Sequence, residues 1–150
     1  FSRYATYADA QMQDIFTPEQ LAAAHISSIR ILPSSFFHND GNHHWTITPL
    51  PNRAQISVIN GMVAVDSSSL ILAGNLYPFR AQLGPLDASI GLVLQGDGKG
   101  NFTPKPYFQT GLCIQGDTRA LIEVKGKKYS FLVAASYGGP VQVLQRTSGQ

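Results

Sequence analysis

The residues able to do chemistry sit in short stretches of the sequence. "GDGKGNF" (96–102) places Asp97 and Lys99 in a glycine-rich loop, the composition of a phosphate or calcium loop. A phosphate loop needs G-x-x-x-x-G-K-[ST] opening a helix, so that backbone N–H groups face the anion. Here Asn101 follows the last glycine, and the β-favouring Phe102–Thr103 come next. The alternating acids and closing Glu of an EF-hand loop are missing too. The stretch reads as a hairpin turn whose Asp–Gly and Lys–Gly pairs supply positive φ angles.

"FFHNDGNHHW" (36–45) carries His38, Asp40, His43 and His44, which are ligand types for a transition metal. Adjacent His43 and His44 would point to opposite faces of a strand, which argues against a shared ion. The expected reading is a polar hairpin tip, with no metal and no cofactor assigned. Ser34, Ser35 and Ser67 to Ser69 supply hydroxyls, but no G-x-S-x-G elbow is present. Ser67 to Ser69 read as turn formers. Paired acids for glycoside chemistry would have to come from Asp87, Asp97, Asp117 or Glu123, and spacing alone brings no two of them together. No catalytic residue is assigned. "KGKK" (125–128) is a basic turn that reads as a solvated one. The candidate binding residues are Tyr77, Phe79 and Arg80, in the long aromatic connection "NLYPFRAQLGPLD".

These groups must be held by a mostly β chain with a short helical start. In "TPEQLAAAH", Thr17 can cap, Pro18 takes the first helical position and Gln20 can complete a capping box. "YADAQMQDIF" reads as a second short helix, with Met12, Ile15 and Phe16 on one face. After residue 26, short apolar runs alternate with Gly, Asn, Asp, Ser and Pro clusters. The expected strands are 27–32, 35–39, 44–49, 55–59, 61–66, 69–74, 89–95, 101–104, 118–124, 129–135 and 141–146. No helix separates them, which implies antiparallel meanders.

Internal matches give the strands an order. "FFHNDGNHHWT" (36–46) aligns with "VLQGDGKGNFT" (93–103), pairing Asp40–Gly41 with Asp97–Gly98 and Trp45–Thr46 with Phe102–Thr103. "MVAVDSSSLILAGN" (62–75) aligns with "LIEVKGKKYSFLVAAS" (121–136), Val65 on Val124 and Ala73 on Ala134, with two extra residues in the second turn. "VLQ" at 93–95 meets "VLQ" at 143–145. With four strands named A to D, the chain reads C–D, A–B–C–D, A–B–C. Four-stranded units repeating at roughly 60 residues suggest propeller blades.

Bulk properties limit the function classes. Apolar residues are 43% and charged residues 13% of 150, which suits one folded domain and not a disordered chain. A net charge of +2 exerts no strong pull on nucleic acid or a membrane surface. The lone Cys113 excludes an internal disulfide and a cysteine metal cluster. No apolar run approaches the ~20 residues of a membrane span. The opening "FSRYATYADA", without Met or signal peptide, reads as a fragment or a processed product.

The segment "LPNRAQISVINGMVAV…LILAGNLYPF…LGPLDASIGLVLQGDGKGNFTP" resembles the FG-GAP/VCBS repeat proteins, β-propellers of the integrin-α N-terminal type. The resemblance covers about residues 28–146. It is carried most by Leu50–Pro51, Ala54–Gln55, Gly74–Asn75, Gly84 and Asp87 to Phe102. The helical lead-in 1–26 also resembles the segment before the last blades of such proteins. The family implies an exported, extracytoplasmic protein, often bacterial, with a seven-bladed propeller of which 27–150 would form about the last two blades. Family blades often bind calcium in the A–B turn through D-x-[DN]-x-D-G. The turns here, "VDSSSL" and "VKGKKYSF", hold one carboxylate (Asp66) and none, so neither is expected to bind it.

The expected core is Val63, Val65, Ile71, Val93, Ile122, Val124, Leu132, Val133 and Val143. The expected function is a non-catalytic binding or scaffold module that contacts protein or glycan. The alternative is an accessory portion of a carbohydrate-active enzyme with its catalytic residues upstream. Two blades cannot close a propeller, so their open faces and edges imply self-association.

Overall fold

A computed structural model describes residues 3–79 and 81–147. The chain divides into two compact units, Phe1–Leu32 and Pro33–Gln150.

The first unit holds three short helices, α1 (Tyr4–Ala8), α2 (Met12–Ile15) and α3 (Pro18–Ala22). The expected capping box at α3 is present. The Thr17 N–H donates to Gln20 Oε1 at 2.9 Å, and the Gln20 N–H donates to Thr17 Oγ1 at 3.3 Å. Gln11 and Asp14 form a second box at α2, so the segment read as one helix is two, α1 and α2. None of these helices buries a residue. Such short helices take their stability from caps and little from packing.

The second unit is mainly β, in three antiparallel sheets of two, four and three strands. Strands β1 (Ser35–Gly41) and β2 (His44–Pro49) form a hairpin. Strands β3 (Gly61–Ala64), β4 (Ser69–Ala73), β5 (Leu92–Gly96) and β6 (Phe102–Lys105) form the four-stranded sheet in sequence order. After a one-turn helix α4 (Tyr107–Thr110), β7 (Thr118–Lys125), β8 (Ser130–Ser136) and β9 (Gln142–Arg146) form the last sheet. Among the described residues the sheets close into neither a barrel nor a propeller.

Two expected strands are absent. Residues 27–32 have strand-like composition but belong to no sheet. Residues 55–59 follow a 3-10 turn, Asn52–Ala54, and run as a strap. Side chains do the pairing there: Ser57 Oγ donates to the Gly74 carbonyl, and the Gln55 amide bonds Ser34 and Leu50. Composition favours a strand only where a partner row of backbone groups is available.

The core lies in two layers. Leu94, Leu72 and Ala54 are buried on one face of the four-stranded sheet, together with Leu50, Leu70 and Phe102. Its opposite face, Val63, Ile71, Ala73 and Val93, packs on Leu121, Leu132, Ala134 and Leu144 of the last sheet, with Leu112 and Ile114. The two sheets approach closely at Gly61, where an added Cβ would lie 2.8 Å from Leu121 Cβ. Phe36 of the hairpin meets Phe102 edge-on, with ring centroids 5.4 Å apart.

The strand registers recalibrate the repeat. Phe37↔Ile47 and Leu94↔Pro104 keep the constant offset of 57 between the two hairpins. Between Ala64↔Leu70 lie five residues (65–69). Between the counterpart pair Glu123↔Leu132 lie eight (124–131). The second turn is therefore three residues longer, not two, and the partner of Ala73 is Ala135, not Ala134.

Only part of the expected core is inside. Ile71 and Leu132 are buried as expected, and Val63, Val65 and Val93 pack against the same cluster. Ile122, Val124 and Val143 were expected inside, but Ile122 is 55% and Val143 61% exposed, and Val124 is exposed as well. They lie with Val133 on the outer face of the last sheet, while Leu121 and Ala134 line the covered face. The last sheet is apolar on both faces, and one of them is covered.

Candidate functional site

The long connection between β4 and β5 holds the candidate binding residues on a pinned loop. Leu76 and Leu86 exchange both backbone hydrogen bonds, at 3.0 and 2.9 Å, and close its base. Beneath it Asn75 is fully buried and has both polar atoms of its side chain in use. Its Nδ2 donates to Asp87 Oδ1 (3.1 Å) and to the carbonyls of Ser89 (2.8 Å) and Gly116 (3.0 Å). Its Oδ1 accepts from Ser57 Oγ (2.8 Å) and the Ser89 N–H (3.0 Å). A buried amide satisfied this way locks the loop to both sheets. Sequence reading missed Asn75 as a hub, although the Gly74–Asn75 pair marks it.

Tyr77 and Phe79 stand half-exposed on this loop. Arg80 lies outside the described residues. The Tyr77 N–H donates to Asp117 Oδ2 at 3.3 Å. Burial pushes the Tyr77 phenol above its ordinary value, a hydrogen bond to Asp87 adds to this, and the charges of Asp87 and Asp117 add further. Asp117 is fully buried, with Oδ2 held by Arg119 Nη2 at 2.6 Å and Oδ1 without a hydrogen bond. The loop can offer two rings to a partner, backed by two carboxylates.

A groove of about 390 Å³ opens between the four-stranded sheet and the last sheet. Glu123 stands in its wall with its side chain 7% exposed. Arg146 spans the groove: Nη1 donates to the Val65 carbonyl (2.8 Å) and Nη2 to Asp66 Oδ2 (3.2 Å), and Nη1 lies 3.5 Å from Glu123 Oε1. Lys125 Nζ is 3.5 Å from Glu123 Oε2. No local sequence signal marks Arg146, because its partners are some 80 positions away. A second groove of about 350 Å³ lies between the hairpin and the four-stranded sheet, with Phe36, His38, Lys99 and Phe102 in its lining.

Asp97, Asp40 and His44 bond within their own turns. Asp97 Oδ1 accepts from the Lys99 N–H (2.7 Å) and the Asn101 N–H (3.1 Å), and Oδ2 from Asn101 Nδ2 (2.7 Å). Its carboxylate is spent on the turn. In the sister hairpin, Asn42 and His43 both have positive φ, 48° and 63°, as a two-residue mirror-image turn requires. His43 is therefore a turn residue, not a strand neighbour of His44. Asp40 Oδ2 meets His44 Nδ1 at 2.8 Å and accepts from Thr46 Oγ1 at 2.6 Å. His38 Nε2 is 3.6 Å from Asp40 Oδ1. Among the described residues no three His, Cys, Asp or Glu side chains are arranged to hold a metal. The four acids considered for glycoside chemistry each have their own partner: Asp87 with Asn75, Asp97 with Asn101, Asp117 with Arg119, and Glu123 with Arg146.

No family model, curated protein or solved structure matches the chain.

Proposed function

We propose that the chain is a non-catalytic scaffold and binding module, built from blade-like sheets of the FG-GAP/VCBS type and working outside the cytoplasm with a protein partner. One observation carries this reading. The cross-strand row Val63–Ile71–Val93 is covered by the next sheet, while its repeat counterpart, Ile122–Val133–Val143, faces outward. An apolar sheet face left open in this way is a packing surface. The polar groups support the same reading, since Asn75, Asp97 and Asp40 are spent on holding loops and turns.

A second reading, an accessory portion of a carbohydrate-active enzyme, is supported by the groove between the last two sheets. Carboxylates of Glu123 and Asp66 beside the Arg146 guanidinium suit the hydroxyl pairs of a sugar. Hydrolysis assays on this chain and on a longer chain that includes upstream residues separate the readings, because the accessory reading expects turnover from the longer chain alone. The scaffold reading expects no turnover of any glycosidic substrate. Turnover by this chain overturns it.

A further inference from the structure

The two ends of the β unit carry opposite halves of one interface. Inside the chain, the row Val63–Ile71–Val93 packs on the row containing Leu132 and Leu144. The repeat offsets make Ile122–Val133–Val143 the counterpart of the first row. They make Leu94 and Phe37 the counterparts of Leu144, since "VLQ" 93–95 aligns with 143–145 and the hairpins align at 57. Leu94 is fully buried, yet Phe37 is 55% exposed, with Ile47 paired beside it and Trp45 on the same face, 54% exposed. The chain therefore exposes both the face that receives a sheet, on β7–β8–β9, and the face that is received, on β1–β2.

At the inner interface Asp66 of the receiving sheet meets Arg146 of the incoming one. The open faces do not repeat this pair: Lys125 is held by Glu123 on the covered side of the last sheet, and Asp40 is held by His44 and Thr46 on the hairpin side that carries Phe36. The match between the open faces is therefore apolar.

Resting on the scaffold reading above, we infer that the occupant of the β7–β8–β9 outer face is the β1–β2 hairpin of a second copy of this chain, docked head to tail. Such an interface is heterologous, so it leaves one free face of each kind on every pair and grows beyond a dimer.

Sedimentation velocity of the whole protein, from low to high micromolar, tests this. The expected result is a series of oligomers that grows with concentration. Val143→Lys and Trp45→Lys each change an exposed residue, so each variant keeps the thermal transition that the wild type shows when dilute enough to be monomeric, and is monomeric alone. Mixed together they form one-to-one dimers that grow no further, because each supplies the face the other lacks. A wild-type chain that stays monomeric overturns the inference. So does a Trp45→Lys variant that still self-associates, which would mean that two β7–β8–β9 faces meet each other or that another segment docks. Neither outcome touches the scaffold reading, which fails on turnover.

Discussion

Val93 and Val143 hold the same place in successive sheets, yet Val93 packs beneath the last sheet while Val143 faces out. Each lies on the central row of its sheet, opposite Ile71 and Val133 respectively. The difference is what lies above them. The same side chain in the same register contributes to the core in one sheet and waits for a partner in the other.

Truncations inside and outside the packed stack should therefore diverge. Leu94→Ala removes a fully buried side chain from the face beneath the hairpin, and should cost about 2–5 kcal/mol. Val143→Ala should change stability by no more than about 0.5 kcal/mol at a concentration where the chain is monomeric. Urea unfolding midpoints of the two variants check this.

The approach of β3 to β7 has no room for a side chain. Gly61→Ala should force a Cβ against Leu121 and its backbone, and destabilise by about 1–3 kcal/mol. A wild-type melting temperature for that variant would contradict the close approach of the two sheets.

Arg146 holds Glu123 as well as the groove. Arg146→Leu should leave the enclosed Glu123 carboxylate with Lys125 as its remaining near cation, costing about 1–3 kcal/mol, below the range for a fully buried pair because Arg146 is half exposed and Lys125 stays. Adding Glu123→Leu should return part of that loss. A double-mutant cycle measures the coupling, and additive effects would argue against the clamp.

Acid should weaken the turns together. The Thr46 hydroxyl, followed by His44, holds the Asp40 carboxyl below its ordinary value. The Ser68 backbone N–H does so chiefly for Asp66, and the Asn101 side chain followed by the Lys99 N–H does so for Asp97. A carboxyl lowered in the folded state binds its proton less readily there than when unfolded. Its stabilisation is complete above the unfolded value and is lost as pH falls through the folded one. Stability should therefore drop below about pH 4, and Asp97→Asn should flatten that drop. Chemical denaturation across this range reads the slope.

What was legible in the sequence was local. The Thr17–Gln20 box, the Asp97 turn and the offset of 57 between hairpins each depend on residues a few positions apart, so residue type alone carries them. Residues 27–32 and 55–59 have strand-forming composition, but pairing depends on a partner strand that no local pattern announces. Which face of the last sheet is covered depends on its neighbour, since Ile122, Val133 and Val143 hold the places of Val63, Ile71 and Val93 and only the earlier row has a sheet above it. The Arg146 clamp joins groups some 80 residues apart, and so leaves no trace in any short window. Arg80, one of the three candidate binding residues, lies outside the described residues, while Tyr77 and Phe79 do share the pinned loop.

The most direct measurement is a site-directed cross-link. With Cys113→Ser as background, one chain carries Val143→Cys and a differently tagged chain carries Trp45→Cys. Head-to-tail docking predicts covalent pairs joining position 143 of one tag to position 45 of the other, and few pairs within either tag. Pairs joining 143 to 143, or no pairs at concentrations where the wild type sediments as oligomers, would contradict it.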